Sequence, residues 1–246
     1  MVKNKISVCL ASYNGINYIK EQIESILTLI GFLDEVIVCD DASTDLTCEI
    51  IESFNDSRIK LIKNDTNLGP VKTFEKALLY AKGEYIFLSD QDDIWEAGKV
   101  DKTLKVFEEN PDLLMIHHTL SLIDSEGNII NQNWNSLNEG KACRLSFLFR
   151  QLIKGQIWGC AAAFKGSLLS SLLPFPKYVY AHDHWLAVVS AVNGNVYLLN
   201  QPLVRHRIHQ NNVTPKKGLS FLGKFLTRWA LCKLFIIALN KKISKS

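Results

Sequence analysis

Tyr85-Ile86-Phe87-Leu88-Ser89-Asp90-Gln91-Asp92-Asp93-Ile94-Trp95 is the stretch from which the fold is read. An unbroken apolar and aromatic run makes a buried strand, and three carboxylates follow it within four positions. That density of negative charge at a strand end is costly unless a cation sits beside it. Oxygen donors of this kind select Mg²⁺ or Mn²⁺, which bridge to substrate phosphates. A helix N-cap before Ile94-Trp95 would account for one aspartate but not for three.

On the N-terminal side, short apolar runs alternate with amphipathic ones. A strand over 6–11 ends in the turn-prone Ser12-Tyr13-Asn14-Gly15, and a helix over 16–29 carries Ile19, Ile23, Ile26 and Leu27 on one face. A strand over 35–39 runs into Asp40-Asp41, and Ser43 or Thr44 is placed to cap a helix bearing Ile50, Ile51 and Phe54. A strand over 58–62, a tight loop at Asn67-Leu68-Gly69-Pro70 and a helix over 71–81 stopped by Gly83 complete the approach. This alternation predicts a Rossmann-like α/β fold, a mostly parallel central sheet with helices on both faces. The polar clusters fall at the C-terminal ends of strands, the edge where open α/β sheets bind ligands. After Pro111 the rhythm changes to a strand over 113–117, a hairpin around 124–128, a polar loop over 131–140, and then helix, strand and helix. His117-His118 reads as a strand end.

A 47% hydrophobic, 22% charged chain of 246 residues excludes a disordered protein and a disulfide-stapled miniature. Its six cysteines include no CxxC pair and read as reduced thiols. Eight of the 28 bases and none of the 25 acids lie in residues 215–246, so the remainder holds 20 bases against 25 acids. That balance argues against a nucleic-acid partner for the body. Residues 1–5 and the short apolar run after them do not read as a signal peptide. No stretch reaches the ~20 apolar residues that span a bilayer. Around residues 219–230, Leu219, Phe221, Leu222, Phe225, Leu226 and Trp229 fall on one side of a helix, opposite Ser220, Lys224, Thr227 and Arg228. With Lys241, Lys242 and Lys245 this predicts an interfacial helix drawn to an anionic membrane surface, the alternative being a C-terminal helix packed on the domain.

Asp40-Asp41 reads either as a cap or as acceptors for a pyrimidine N–H edge or a ribose hydroxyl. No GxGxxG follows the first strand and GxxxxGK[ST] is absent, which excludes dinucleotide and P-loop binders and leaves a nucleotide held by carboxylates and metal. In Tyr180-Ala181-His182-Asp183-His184-Trp185, Asp183 stands near a helix start, where a single aspartate can cap the helix. Arg205-His206-Arg207-Ile208-His209 forms a local positive patch. Its guanidinium groups suit phosphate, and a neutral imidazole suits Mn²⁺ better than Mg²⁺. Trp158 reads equally as core.

Four segments together carry a resemblance: 6–15, from Ile6 to Gly15; 36–45, centred on Asp40-Asp41; Asn67-Leu68-Gly69; and 83–95 with its Asp90-Gln91-Asp92-Asp93. They resemble the family 2 glycosyltransferases, over about residues 5–214, and the Asp-Gln-Asp-Asp-Ile-Trp variant is similar to bacterial rhamnosyltransferase-like enzymes of surface-polysaccharide synthesis. The resemblance implies a GT-A fold over 1–214, with a nucleotide-sugar half (1–112), an acceptor and catalytic half (113–214) and a basic amphipathic tail (215–246). It implies an inverting, metal-dependent transferase that uses Mn²⁺ or Mg²⁺ and a UDP- or dTDP-sugar, with a glycan or lipid-linked acceptor. It places base and ribose on Ala11, Tyr13 and Asp40 or Asp41, the DxD motif at Asp90-Gln91-Asp92 with Asp93 adjacent, and the general base at Asp183. Arg207 would face the diphosphate, His209 would join Asp92 at the metal, and Gly159-Cys160 would floor the acceptor side. The expected location is cytoplasmic, peripheral on the inner face of the plasma membrane. A catalytically silent nucleotide- or carbohydrate-binding module and a metal-dependent phosphohydrolase or nucleotidyltransferase are the competing functions. Donor hydrolysis without acceptor would favour the last.

Overall fold

A computed structural model describes residues 6–144, 146–148, 150, 157–210, 212 and 221–243. Its first part follows the predicted alternation: β1 (Ile6–Ser12), α1 (Ile19–Leu27), β2 (Glu35–Asp40), α2 (Thr47–Ser53), β3 (Ile59–Lys63), α3 (Pro70–Tyr80) and β4 (Tyr85–Asp90). Strands β3, β2, β1 and β4 lie side by side and all parallel. The two-residue side-chain period sorts them onto two faces. Val8, Val36, Val38, Tyr85 and Phe87 pack under α1, while Cys9, Ile37, Cys39, Ile86 and Leu88 pack under α3.

The later elements are β5 (Ile94–Trp95), α4 (Lys99–Glu109), β6 (Leu113–Ile123), β7 (Ile129–Trp134), β8 (Gly140–Lys141), β9 (Ala162–Lys165), α5 (Leu169–Leu172), α6 (His182–Asn193), β10 (Asn195–Arg207) and α7 (Phe221–Ile243). The sheet continues from β4 through antiparallel β9 to β6, then parallel β10 and antiparallel β5. The parallel character therefore belongs to the first four strands, and the other half is mixed.

Several local expectations change. Ile94-Trp95 is a strand paired to Arg205 and Val204, so the aspartates before it do not cap a helix. Neither Ser43 nor Thr44 caps α2, which starts later, at Thr47. His117 and His118 lie within an 11-residue strand at 0% and 1% exposure rather than at its end. Arg205-His206-Arg207 is the end of β10 rather than a loop after it. The expected polar loop over 131–140 is loop only over 135–139, since β7 reaches Trp134 and β8 begins at Gly140.

Helix α7 differs most. Leu231, Leu234 and Ala238 are buried in the same cluster as α6, and Lys241 and Lys242 donate to carbonyls of the body, at Pro174 O (3.0 Å) and Val192 O (2.8 Å). The expected apolar arc survives at Trp229, which is exposed. Leu219 and Ser220, and the side chains of residues 221–226, lie outside the described residues. Among the described residues no helix is long and apolar enough to cross a membrane.

Candidate active site

The register of the parallel strands puts the polar clusters on one edge: Ala11 is paired with Asp90, and Ser12 with Asp40. Beyond that rung the turns interlock. Asn14 N–H donates to Ser43 Oγ, Thr44 N–H to Asn14 Oδ1, and Gly15 N–H to Thr47 Oγ1, each at 2.8 Å. Asn14 and Ala42 hold φ of 47° and 63°, the left-handed conformation that non-glycine residues adopt at some cost.

Asp40 and Asp41 are both buried, and their carboxylates face the protein. Asp40 accepts from Ser12 Oγ (2.8 Å), Ser43 Oγ (2.6 Å) and Ser43 N–H (2.8 Å). Asp41 accepts from Asn64 Nδ2, Leu68 N–H and Gly69 N–H, all at 2.8 Å. Three donors each occupy most of the four or so lone-pair directions of a carboxylate. Their main work is to shape the turns around residues 12–14 and 67–69. Gln91 does the same between strands: its Oε1 accepts from Tyr13 N–H (2.8 Å) and its Nε2 donates to Tyr13 O (2.9 Å). The Tyr13 ring is left 44% exposed at the rim, and Ala11 is half-buried.

The cluster at the end of β4 is differently partnered. Burial, then the charges of Asp93 and Asp92, hold the half-buried Asp90 well above the usual carboxylate range. Asp92 is also raised, by burial and then by Asp93, with His209 opposing. Burial pushes Asp93 up, but the charge and hydrogen bond of His206 outweigh it and leave Asp93 low. His206 Nδ1 meets Asp93 Oδ1 at 2.8 Å, and the carboxylate lifts His206 to about 9 against its own burial. Arg207 N–H lies 3.2 Å from the same Asp93 oxygen. Asp93 Oδ2 is buried without a partner among the described residues.

His209 Nε2 stands 2.8 Å from Asp92 Oδ2, and Asn212 Oδ1 receives His209 N–H at 2.5 Å. An imidazole and a carboxylate converging on one point, beside two further carboxylates of which Asp93 has an orphaned oxygen, are a donor set that fits a hard divalent cation. Asp93, Cys160 and His206 also offer ligand atoms within 4.8 Å of one another. Burial keeps the Cys160 thiol protonated, which makes it a poor ligand for such an ion.

Arg207, expected to face the diphosphate, has its guanidinium engaged by the protein. It is 2% exposed, and its guanidinium donates to Asp92 O (2.9 Å), Ser125 O (3.2 Å) and Glu21 Oε2 (2.6 Å) over the Tyr18 ring, 4.7 Å away. A fork with five donors is thereby used to hold the Asp92 backbone. Arg205 pairs with Glu96 at 2.5 Å.

Asp183 lies in the first turn of α6, half-buried, with Oδ1 accepting His184 N–H at 2.7 Å. Its charge adds to the repulsion felt by Asp90, so the helix start and the β4 end share one electrostatic field. His182 stacks on Phe74 with ring centroids 3.9 Å apart and faces Gly159, where an added Cβ would sit 2.6 Å from His182 Nε2. Sequence reasoning missed Glu21, Tyr18, Glu96 and Lys99, which reach these groups across 19 to 189 positions of chain and carry no local signal.

A family model for glycosyl transferase family 2 matches residues 7–172. The chain belongs to that family. It is 28% identical over 214 residues to the Escherichia coli UDP-Glc:alpha-D-GlcNAc-diphosphoundecaprenol beta-1,3-glucosyltransferase WfgD, covering 86% of this chain and 80% of that protein. A second E. coli enzyme of the same description, WfaP, is 39% identical over 103 residues, 42% of this chain and 41% of that one. The S. aureus TarS 1-349 structure in complex with UDP-GlcNAc superimposes with a TM-score of 0.72 at 21% identity, over 98% of this chain and 73% of that one. This family 2 glycosyltransferase thus has the mixed α/β GT-A architecture.

Proposed function

We propose that this glycosyltransferase is an inverting, metal-dependent enzyme that moves a sugar from a UDP- or dTDP-sugar to a glycan or lipid-linked acceptor in bacterial surface-polysaccharide synthesis. The observation that carries the reading is the meeting of Asp92 and His209 at the end of β4, in the electrostatic field of Asp183 on α6. WfgD, which by its description takes UDP-Glc to a diphosphoundecaprenol-linked sugar, supports the donor and acceptor classes. TarS, solved in complex with UDP-GlcNAc, supports a nucleotide-sugar as the donor class.

In this reading Asp92 and His209 would hold Mn²⁺ or Mg²⁺, with Asp93 as an adjacent carboxylate. Bound there, the ion supplies positive charge to the leaving diphosphate. Asp183 takes the proton of the acceptor hydroxyl, whose own pKa is far too high for it to ionise alone. The hydroxyl oxygen forms the new bond to the anomeric carbon as the bond to the diphosphate breaks on the opposite side, which inverts that carbon. Asp40, Asp41 and Gln91 hold the turns bearing Ala11 and Tyr13, against which base and ribose lie. Arg207 fixes the backbone of Asp92 from behind.

Residues 1–214 form the transferase body in this proposal, and the tail adds a membrane-facing surface. The face of α7 turned away from the body carries exposed Trp229, Cys232, Ile236, Leu239 and Ile243, spaced three and four apart. With eight bases and no acid in residues 215–246, this stripe suits the anionic inner face of the plasma membrane. Vesicle co-sedimentation tests it: Ile236→Glu with Ile243→Glu should release the enzyme from anionic vesicles, and equal partitioning would refute the surface.

The activity test is a panel of UDP- and dTDP-sugars scored for thermal stabilisation and diphosphate release with Mn²⁺ or Mg²⁺. Asp183→Asn should lower turnover by ~10²–10⁴-fold and leave donor binding within about threefold. A wild-type enzyme that binds but never turns over any donor would favour the silent binding module.

A further inference from the structure

Behind the site lies a buried polar cluster for which transfer chemistry gives no direct role. Lys99 opens α4 at 0% exposure, after Gly98 in the left-handed conformation (φ 79°). Its ammonium donates to Cys160 O at 2.7 Å and to His118 Nε2 at 3.0 Å, and lies 4.5 Å from the centroid of the Trp95 ring. These contacts use all three of its N–H directions. Because His118 Nε2 accepts, its proton is on Nδ1, 2.7 Å from Thr119 O. The neighbouring His117 faces the other side of β6 by the strand period, and its Nε2 accepts Trp158 N–H at 3.1 Å.

His117, and Lys99 held in turn by His118, thus grip the backbone at Trp158 and Cys160 from both faces of the sheet. Those three residues touch both halves of the site. The Trp158 ring lies 5.5 Å from the His206 ring, and Cys160 Sγ is within 4.8 Å of the Asp93 carboxylate and His206. Gly159 abuts His182, the residue before the proposed base, so closely that no side chain fits. A buried ammonium without an adjacent carboxylate partner is expensive to keep. Burial brings Lys99 down to about 7.

We propose that Lys99, His117 and His118 form a buried clamp on residues 158–160 and act through it as positioning residues for sugar transfer, setting the spacing between the Asp93–His206 pair and the start of α6. The clamp rests on the transferase reading of the site. Misplacement of reacting groups by about 1 Å can cost up to ~10²-fold in rate, so a backbone held from both faces has a direct kinetic consequence.

The test follows release of nucleoside diphosphate and free sugar from a UDP- or dTDP-sugar by the full-length wild-type enzyme with Mn²⁺, the products of transfer to water in place of the acceptor hydroxyl; a phosphohydrolase would give nucleoside monophosphate and sugar phosphate instead. His117→Leu removes the acceptor for Trp158 N–H, and His117→Gln keeps one. Per folded molecule, His117→Leu should lower kcat roughly 10- to 100-fold with donor KM within about threefold, and His117→Gln should restore kcat to within about fivefold of wild type. Lys99→Met should follow His117→Leu. Equal kcat for wild type and both His117 variants, or an equal fall in Leu and Gln variants, would overturn the clamp. Should His117→Leu not fold, Gly159→Ala decides: the clamp is intact and only the contact with His182 is forced open. There a fall in kcat at constant KM supports the proposal, and unchanged kcat refutes it. A wild-type enzyme that turns over no nucleotide-sugar would refute the transferase reading instead, whatever the variants do.

Discussion

Two aspartate clusters flank β1, at the ends of β2 and β4, and their surroundings make them opposites. Asp40 and Asp41 each accept three hydrogen bonds from hydroxyl and amide groups of the protein. Asp90 and Asp92 instead repel one another and Asp93, with His206 and His209 as their countercharges. The same residue type in the same part of the fold builds a scaffold in one place and, in the proposed reading, a cation site in the other. What separates them is the supply of donors, since serine, asparagine and backbone N–H groups surround the first pair and other carboxylates surround the second.

Chelation divides the two clusters most sharply. Asp92→Asn, or EDTA on the wild type, should abolish Mn²⁺-dependent donor binding, a loss above ~10²-fold, while the melting temperature without metal stays nearly constant. Activity indifferent to EDTA would remove the distinction between the clusters. Asp41→Ala should do the reverse. It strands Leu68 N–H and Asn64 Nδ2 and leaves Gly69 N–H only its bond to Asn67 Oδ1 at 3.2 Å, and should cost about 1–3 kcal/mol in urea unfolding with or without metal.

The body and the tail make a second contrast. An interfacial tail would be dispensable for folding, but α7 buries Leu231 and Leu234. Truncation after Thr214 should therefore yield aggregating protein, and Leu234→Ala in the full chain should cost about 2–5 kcal/mol in denaturant unfolding. A soluble, active truncation would return the helix to the membrane alone.

The smallest effect concerns acid stability. Burial, and secondarily Lys99, hold His117 down to about 3 and His118 well below its usual value. Unfolded, each binds a proton near pH 6.5, so between about pH 3 and 6.5 the unfolded chain carries more protons and stability falls as pH drops through that window. His117→Gln removes one titration and should flatten this acid limb, as read by urea unfolding at about pH 4.5 and 7. An unchanged slope would mean that His117 is protonated in the fold.

Local pattern was enough for the parallel half. Apolar runs that end in Asp40-Asp41 and in Asp90 to Asp93 announce strands and a ligand-binding edge, because strand burial and turn chemistry act over a few residues. The same pattern misread the start of α2, since Ser43 is drawn to Asp40 rather than to a helix end. It could not show that Arg205-His206-Arg207 continues β10, because that strand exists through pairing with Ser121, Leu122 and Ile123 far earlier in the chain.

The identity of the chemical groups was thus determined by sequence alone: which carboxylates, imidazoles and guanidinium groups the protein owns, and which strand ends carry them. Tertiary structure decided what each group faces. Arg207 is turned inward to Glu21, His206 to Asp93, and the last helix onto the body, because hydrogen-bond and charge partners are chosen by distance in space. A carboxylate becomes a scaffold or a metal ligand only when the fold supplies, or withholds, its donors.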